Sequence, residues 1–174
     1  MINIRFYQDI KEHEKWLSTN KQDGRQLVLE DEDLSFLTIS DANLNESVFI
    51  NCQFQRTIFK NVSFEEAKLF RNKLFYSLFE NITCNNSLID SNVIEGCNFE
   101  RVQISLSTLK SNKFKKATFI KNNLNNLYCK LNQFFYSQFT DIMLNENLIL
   151  EGNIKNCNPH TAILIVPKNR PTIT

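Results

Sequence analysis

At 174 residues the chain is one domain's worth of sequence, and its net charge of +1 selects no charged class of partner. Three glycines leave no phosphate-cradling loop. No apolar run approaches the ~20 residues that a membrane span needs.

The first residues, Met1 to Phe6, lack the apolar stretch and small-residue cleavage site of a secretory signal. That points to the cytoplasm, with export by a dedicated secretion machine left open. Ile2, Ile4 and Phe6 alternate with Asn3, Arg5 and Tyr7, which predicts a short strand over residues 1–8. Residues 9–19 read as a helix, with Asp9 as N-cap and Glu12 at the capping-box distance. Ile10, Trp16 and Leu17 would share its apolar side. Gly24 ends this N-terminal unit, residues 1–25. The helix with Trp16 would cover the near end of the long segment after Gly24. His13 reads as a packing or solvent residue, because no nucleophile lies near it in sequence.

From residue 29 to 154 a large apolar residue recurs every five positions. The register begins Leu29, Leu34, Ile39, Leu44, Phe49, Phe54 and ends Leu144, Ile149, Ile154, and only Cys84 and Cys129 are not Leu, Ile or Phe. Such repetition is read before any single element. A period of five suits neither a helix nor a flat strand. The positions two residues earlier, such as Ala42, Ser47, Cys52 and Thr57, are small or medium, with Glu32 the one charge. A spacing of two puts both residues on one side of an extended segment. Each unit of this repeat, residues 26–157, therefore sends a large and a smaller side chain inward and then turns.

The units resemble the pentapeptide-repeat family, whose consensus is Ala, then Asp or Asn, then Leu, then two variable residues. Ala42-Asn43-Leu44-Asn45-Glu46 is the best match, and Cys97-Asn98-Phe99, Ala117-Thr118-Phe119 and Ala67-Lys68-Leu69 are looser. The stretch from His13 to Leu34 resembles the lead-in of bacterial members. The resemblance implies an all-β solenoid, a right-handed quadrilateral β-helix with four units per coil, here with a short N-terminal helical cap. Some members imitate double-helical DNA, bind DNA gyrase or topoisomerase IV, and confer quinolone resistance or self-immunity. Those members are strongly acidic and dimerise through the C-terminal end.

Wrapped at 20 residues per coil, one inward column reads Glu32, Cys52, Asn72, Asn92, Asn112, Asn132, Gly152. Its asparagines are expected to form an amide ladder, each donating to the next. The two inward registers also compensate in volume. Cys84 accompanies the bulky Ile82, and Cys129 accompanies Leu127, as a close-packed interior demands. All five cysteines fall in inward registers and read as buried free thiols. No Cys or His pair has zinc-ligand spacing, so no metal or other cofactor is expected. His13 and His160 would lie at opposite ends of the rod, and no catalytic constellation is present, so the chain reads as a non-enzyme.

Function is then left to the outward residues. Glu30, Asp31, Asp33, Asp41 and Glu46 make one end acidic, while Arg101, Lys110, Lys113, Lys115, Lys116, Lys121 and Lys130 make a later stretch basic. Phe75 and Tyr76 recur as Phe135 and Tyr136 three coils on, Phe36 shares the column of Tyr76, and Phe70 lies on the preceding unit. A column of exposed apolar side chains marks an interface. The expected function is a non-enzymatic protein–protein interaction module, with gyrase or topoisomerase IV as the alternative partner. Nucleic acid is disfavoured, because the basic stretch carries no groove-reading motif. After Ile154 the pattern ends, and residues 158–174 read as a cap or dimerisation tail built on Ile163, Leu164, Ile165 and Val166.

Overall fold

Each five-residue unit turns at a single residue. Two positions after every large inward residue, from Asp31 to Asp141, the backbone enters the left-handed region, with φ between 51° at Leu106 and 66° at Gly96. This conformation costs an L-residue roughly 1–2 kcal/mol. Asn and Asp tolerate it best, and they hold it at Asp31, Asp41, Asn51, Asn61, Asn81 and Asn86 among others. The corner N–H reaches the neighbouring coil: Asp31 donates to the carbonyl of Ile50 at 3.0 Å, and Asp41 to that of Lys60 at 2.9 Å.

A computed structural model describes residues 2–144, 149–155 and 158–159, with side chains from Ile4 to Met143. Four units complete a turn, and short parallel strands stack at a register of 20 residues, as in Phe99 opposite Phe79 and Phe119. The result is a four-sided β-solenoid of about six turns with one N-terminal helix. The first side carries Leu29, Phe49, Leu69, Ile89, Leu109 and Cys129; the second carries Leu34, Phe54, Leu74, Ile94, Phe114 and Phe134. The third side runs up from Ile39 and the fourth from Leu44. The five-residue phase slips in the last coil. Cys129 lies opposite Leu150 rather than Ile149, and the pairing recovers where Lys130↔Glu151 steps to Asn132↔Gly152, leaving Leu131 as the bulged residue. Leu148, Ile149 and Leu150 are all apolar, so residue order alone does not mark the slip.

The interior is built of two kinds of column. Phe59, Phe79, Phe99, Phe119 and Phe139 stack ring on ring, with centroids 4.8, 4.8, 4.9 and 4.8 Å apart. Stacked pairs of this kind add about 0.5–1.5 kcal/mol each beyond their buried area. The smaller inward residues do different work. Asn72 Oδ1 accepts the N–H of Cys52 at 2.8 Å while its Nδ2 donates to the carbonyl of Phe49 at 3.0 Å. Asn92, Asn112 and Asn132 repeat this staple one coil at a time. Ser107 does the same with Ser87 N–H and the Cys84 carbonyl. The expected amide ladder is thus chiefly a set of backbone staples; among the described residues of this column, direct amide contacts join Asn92 to Asn112 and Asn112 to Asn132, each at 3.0 Å. Backbone groups at these corners would otherwise be buried without partners, which is why they outcompete the neighbouring amide. Among the described residues no buried side-chain nitrogen or oxygen lacks a partner.

The N-terminus departs from expectation. A single helix, α1, spans Ile2–Ser18, so no strand forms over residues 1–8 and Asp9 is not an N-cap. Its inward stripe is Phe6, Ile10 and His13, with Leu17 half-buried beyond. That is helical spacing, and Ile4 in the alternating set stays exposed. Trp16 is half-buried and stacked on His13. Asp9 is buried and held by Arg25 and Arg5. The helix ends in a Schellman-type turn: Asn20 is left-handed, Lys21 N–H reaches the carbonyl of Trp16 at 2.7 Å, and Asn20 N–H that of Leu17 at 3.3 Å. Gly24 then passes so close to the helix that a Cβ would meet the Glu12 carbonyl at 2.3 Å.

The helix serves the exposed edge of the first coil. Tyr7 donates to the carbonyl of Thr38, and Glu14 accepts the N–H of Asn43. His13 accepts the N–H of Leu27 on Nδ1 at 3.0 Å and donates from Nε2 to the carbonyl of Asn45 at 2.9 Å. Four backbone groups of an open β-edge are thereby closed to strand addition.

Candidate functional site

The second side and the corner that follows it gather most of the outward aromatics. On the strands stand Lys73 and Phe75, Val93 and Glu95, Lys113 and Lys115, and Gln133 and Phe135, one pair per coil. Phe75 and Phe135 are half-buried. At the corner, the column reads Phe36, Arg56, Tyr76, Gly96, Lys116, Tyr136, every one of them left-handed. Phe36, Tyr76 and Tyr136 are 65%, 61% and 58% exposed, which makes them the largest aromatic protrusions among the described residues. A bulky aromatic in the left-handed region is uncommon, and Asn or Gly would sit there at less cost. Phe70 belongs elsewhere: it is half-buried on the first side, in the strand Lys68–Phe70.

These side chains are held in place. The ring of Tyr76 fills the space that a Cβ at Gly96 would need, 2.6 Å from the ring carbon. Lys115 pairs with Glu95 at 2.9 Å, and that carboxylate raises the Lys115 ammonium above its usual range. Lys113 Nζ stands 6.0 Å from the centre of the Phe135 ring. The glycine shelf was not visible as a function of Gly96 in the chain; only the 20-residue column puts Tyr76 beside it.

Charge is segregated around the rod as well as along it. Arg56, Arg71, Lys73, Lys113, Lys115 and Lys116 lie on the second side or its two corners, with Glu95 and, at the first coil, Asp31, Glu32 and Asp33. The other basic residues disperse. Arg101 is spent on Glu80 and Glu100, Lys121 sits on the same later corner, and Lys110 and Lys130 lie on the first side. The acidic residues Glu30, Asp31, Asp33, Asp41 and Glu46 form a ring around the first coil rather than a stripe along the rod. Glu46 is paired with Lys21, Asp31 takes a hydrogen bond from Asn51, and Asp41 takes one from Asn61 at 2.8 Å.

Among the described residues the interior cysteines are unreactive. Burial pushes the thiols of Cys52, Cys84, Cys97 and Cys129 up to about 11, which keeps them protonated and inert at neutral pH. Burial lowers the His13 imidazole below its ordinary value, partly offset by the Asn45 carbonyl and by Glu14 and Glu46. Among the described residues no group of three His, Cys, Asp or Glu could hold a metal ion. No helix among them is long and apolar enough to cross a membrane. Cys157, His160 and the run Ile163, Leu164, Ile165, Val166 lie outside the described residues.

Residues 33–71 match the family model of pentapeptide repeats, in eight copies, and the same five-residue turn continues through the described coils beyond them. The chain is a pentapeptide-repeat protein. Among solved structures, this pentapeptide-repeat protein is similar to Rfr23, a pentapeptide repeat protein from the cyanobacterium Cyanothece 51142, at 11% identity over 79% of this chain and 96% of that one, with a TM-score of 0.45. It is also similar to full-length QnrB1, a plasmid-mediated fluoroquinolone resistance protein, at 15% identity over 76% of this chain and 91% of that one, with a TM-score of 0.41. No curated protein sequence matches it.

Proposed function

We propose that the chain is a non-enzymatic protein–protein interaction module, a rigid rod that offers its second side to a protein partner. The observation that carries this reading is the column of Phe36, Tyr76 and Tyr136, exposed at left-handed corners beside Phe75 and Phe135. Aromatics are the side chains that anchor interfaces, because they bury large area at small entropic cost. The buried thiols and the absence of any loop between the described units support a binding role over catalysis. A photo-crosslinking residue at position 136 should capture a protein in the native cell extract, whereas one at Asn85, on the fourth side, should not. Equal capture from both positions would defeat the reading.

A second reading, a DNA mimic that binds DNA gyrase or topoisomerase IV, has the acidic first coil in its favour. A continuous acidic stripe is what such mimicry needs, and Lys113, Lys115 and Lys116 interrupt the side where the rings stand. A supercoiling assay with and without a fluoroquinolone tests it. Inhibition or protection at low micromolar protein would move this reading to first place, and no effect would remove it. Pairing of two copies through Ile163, Leu164, Ile165 and Val166 belongs to the proposal too, and is checked by the solution mass of the chain with and without residues 160–174.

A further inference from the structure

The spacing of the second side's rings is set by the coil rise. Phe75 with Tyr76 and Phe135 with Tyr136 stand three ladder steps apart, through Glu95 and Lys115. The stacked interior rings measure one step as 4.8 Å, so the two aromatic pairs are about 14 Å apart. Between them the charges offered outward are Lys113 and Lys116, both exposed, because Lys115 is taken up by Glu95. The anchors are preset: Tyr76 rests on Gly96, and Lys113 lies over Phe135. Groups already held lose less freedom when a partner arrives.

We propose that this side binds an acidic segment of another protein, extended along the rod axis. One large apolar residue would sit at each aromatic pair, with carboxylates over Lys113 and Lys116. The inference rests on the interaction-module reading and names the partner's chemistry. Two features argue for it. The sign of the exposed charge selects an acidic partner, with electrostatic complementarity setting which segments are accepted. The distance selects an extended one: same-side residues i and i+4 of a strand are about 13.6 Å apart, whereas same-face helix residues at i+7 and i+11 lie at about 10.5 and 16.5 Å. Single-stranded nucleic acid also uses rings and cations, but it carries a charge at every nucleotide, and here a carboxylate, Glu95, stands between the ring pairs, one ladder step from Phe75.

The test is selection of displayed random peptides on the full chain, followed by fluorescence anisotropy of the selected peptides. Acid-rich peptides with large apolar residues four apart are expected. Their affinity should fall about tenfold or more, near 1.4 kcal/mol, on combined Lys113→Glu and Lys116→Glu, and again on Tyr136→Ser. Asn85→Ala on the fourth side should leave affinity unchanged. If charge reversal lowers the melting temperature, Lys113→Gln with Lys116→Gln gives the same readout without repulsion. Peptides that lack acid enrichment, or that bind the charge variants as well as the parent, overturn the inference and leave the interaction module standing. Recovery of no peptide overturns the inference and leaves the interaction module to its crosslinking test, and oligo(dT) binding that is lost with Lys113→Glu would put nucleic acid in the partner's place.

Discussion

Two columns of asparagine climb this rod at the same 20-residue spacing and do opposite work. Inside, Asn72, Asn92, Asn112 and Asn132 spend both ends of the amide on backbone groups of the coil below. Outside, at the corner between the third and fourth sides, Asn61 donates to Asp41 and Asn81 donates to Asn61, each at 2.8 Å, and Arg101 closes the row on Asn81 at 2.6 Å. The inner column replaces water that cannot enter. The outer one competes with water that is always present, so its hydrogen bonds contribute little net stability. It does quiet that corner, because its polar groups are already engaged with one another. The corner of Tyr76 and Tyr136 carries rings instead, and these with Lys113 and Lys116 are what remain on offer.

The largest effect is expected from breaking the inner column. Asn92→Leu strands the N–H of Asn72 and the carbonyl of Leu69 in the interior. Each unsatisfied group costs about 1–3 kcal/mol, so a loss of roughly 2–6 kcal/mol in denaturant-measured stability is expected. An unchanged melting temperature would show that the staples are dispensable.

His13 carries the comparison to the rod's end. It staples Leu27 N–H and the Asn45 carbonyl as an inner asparagine does, but it can titrate. Its folded imidazole resists protonation below the ordinary value of 6.5, because burial disfavours the charge and Nδ1 is occupied by Leu27. The unfolded chain then binds the extra proton first. Stability is therefore full above pH 6.5 and falls as pH drops from there towards the lowered folded value. Thermal melts across this window should show the fall in the parent chain and its absence in His13→Leu, which starts less stable by about 1–3 kcal/mol for each of its two orphaned groups. The same slope in both chains would assign the pH dependence to other groups.

Gly96→Ala sharpens the contrast between quiet and open corners. The new Cβ meets the Tyr76 ring and must adopt φ near +66°. A loss of about 1 kcal/mol is expected, with Tyr76 fluorescence and solvent exposure changing more than the stability does. The smallest effect belongs to the outer row: Asn81→Ala should stay within about 0.5 kcal/mol of the parent. A loss as large as that of Asn92→Leu would erase the distinction between the two columns.

Much of the architecture was legible from residue order. The five-residue period, the inward pair and the volume exchange of Ile82 with Cys84 and Leu127 with Cys129 all appear as buried positions. The helix at the rod's end was legible as well, though not its start, because Ile2, Ile4 and Phe6 satisfy a strand period locally while Phe6, Ile10 and His13 satisfy the longer helical one. The ring residues of the candidate surface could be placed in shared columns by counting. Their support could not: the Gly96 shelf, the Glu95–Lys115 pair and the sideways gathering of positive charge depend on residues 20 apart becoming neighbours.

Residue order by itself determined that this chain is a solenoid, because an apolar period held over so many units has one cheap way to bury every large side chain, coil upon coil. Only the tertiary structure decided what each polar residue does. An asparagine, a histidine or a lysine has several acceptable partners in a linear chain, and the choice among them follows from which backbone groups are left dry and which side chains the coil rise sets 4.8 Å apart.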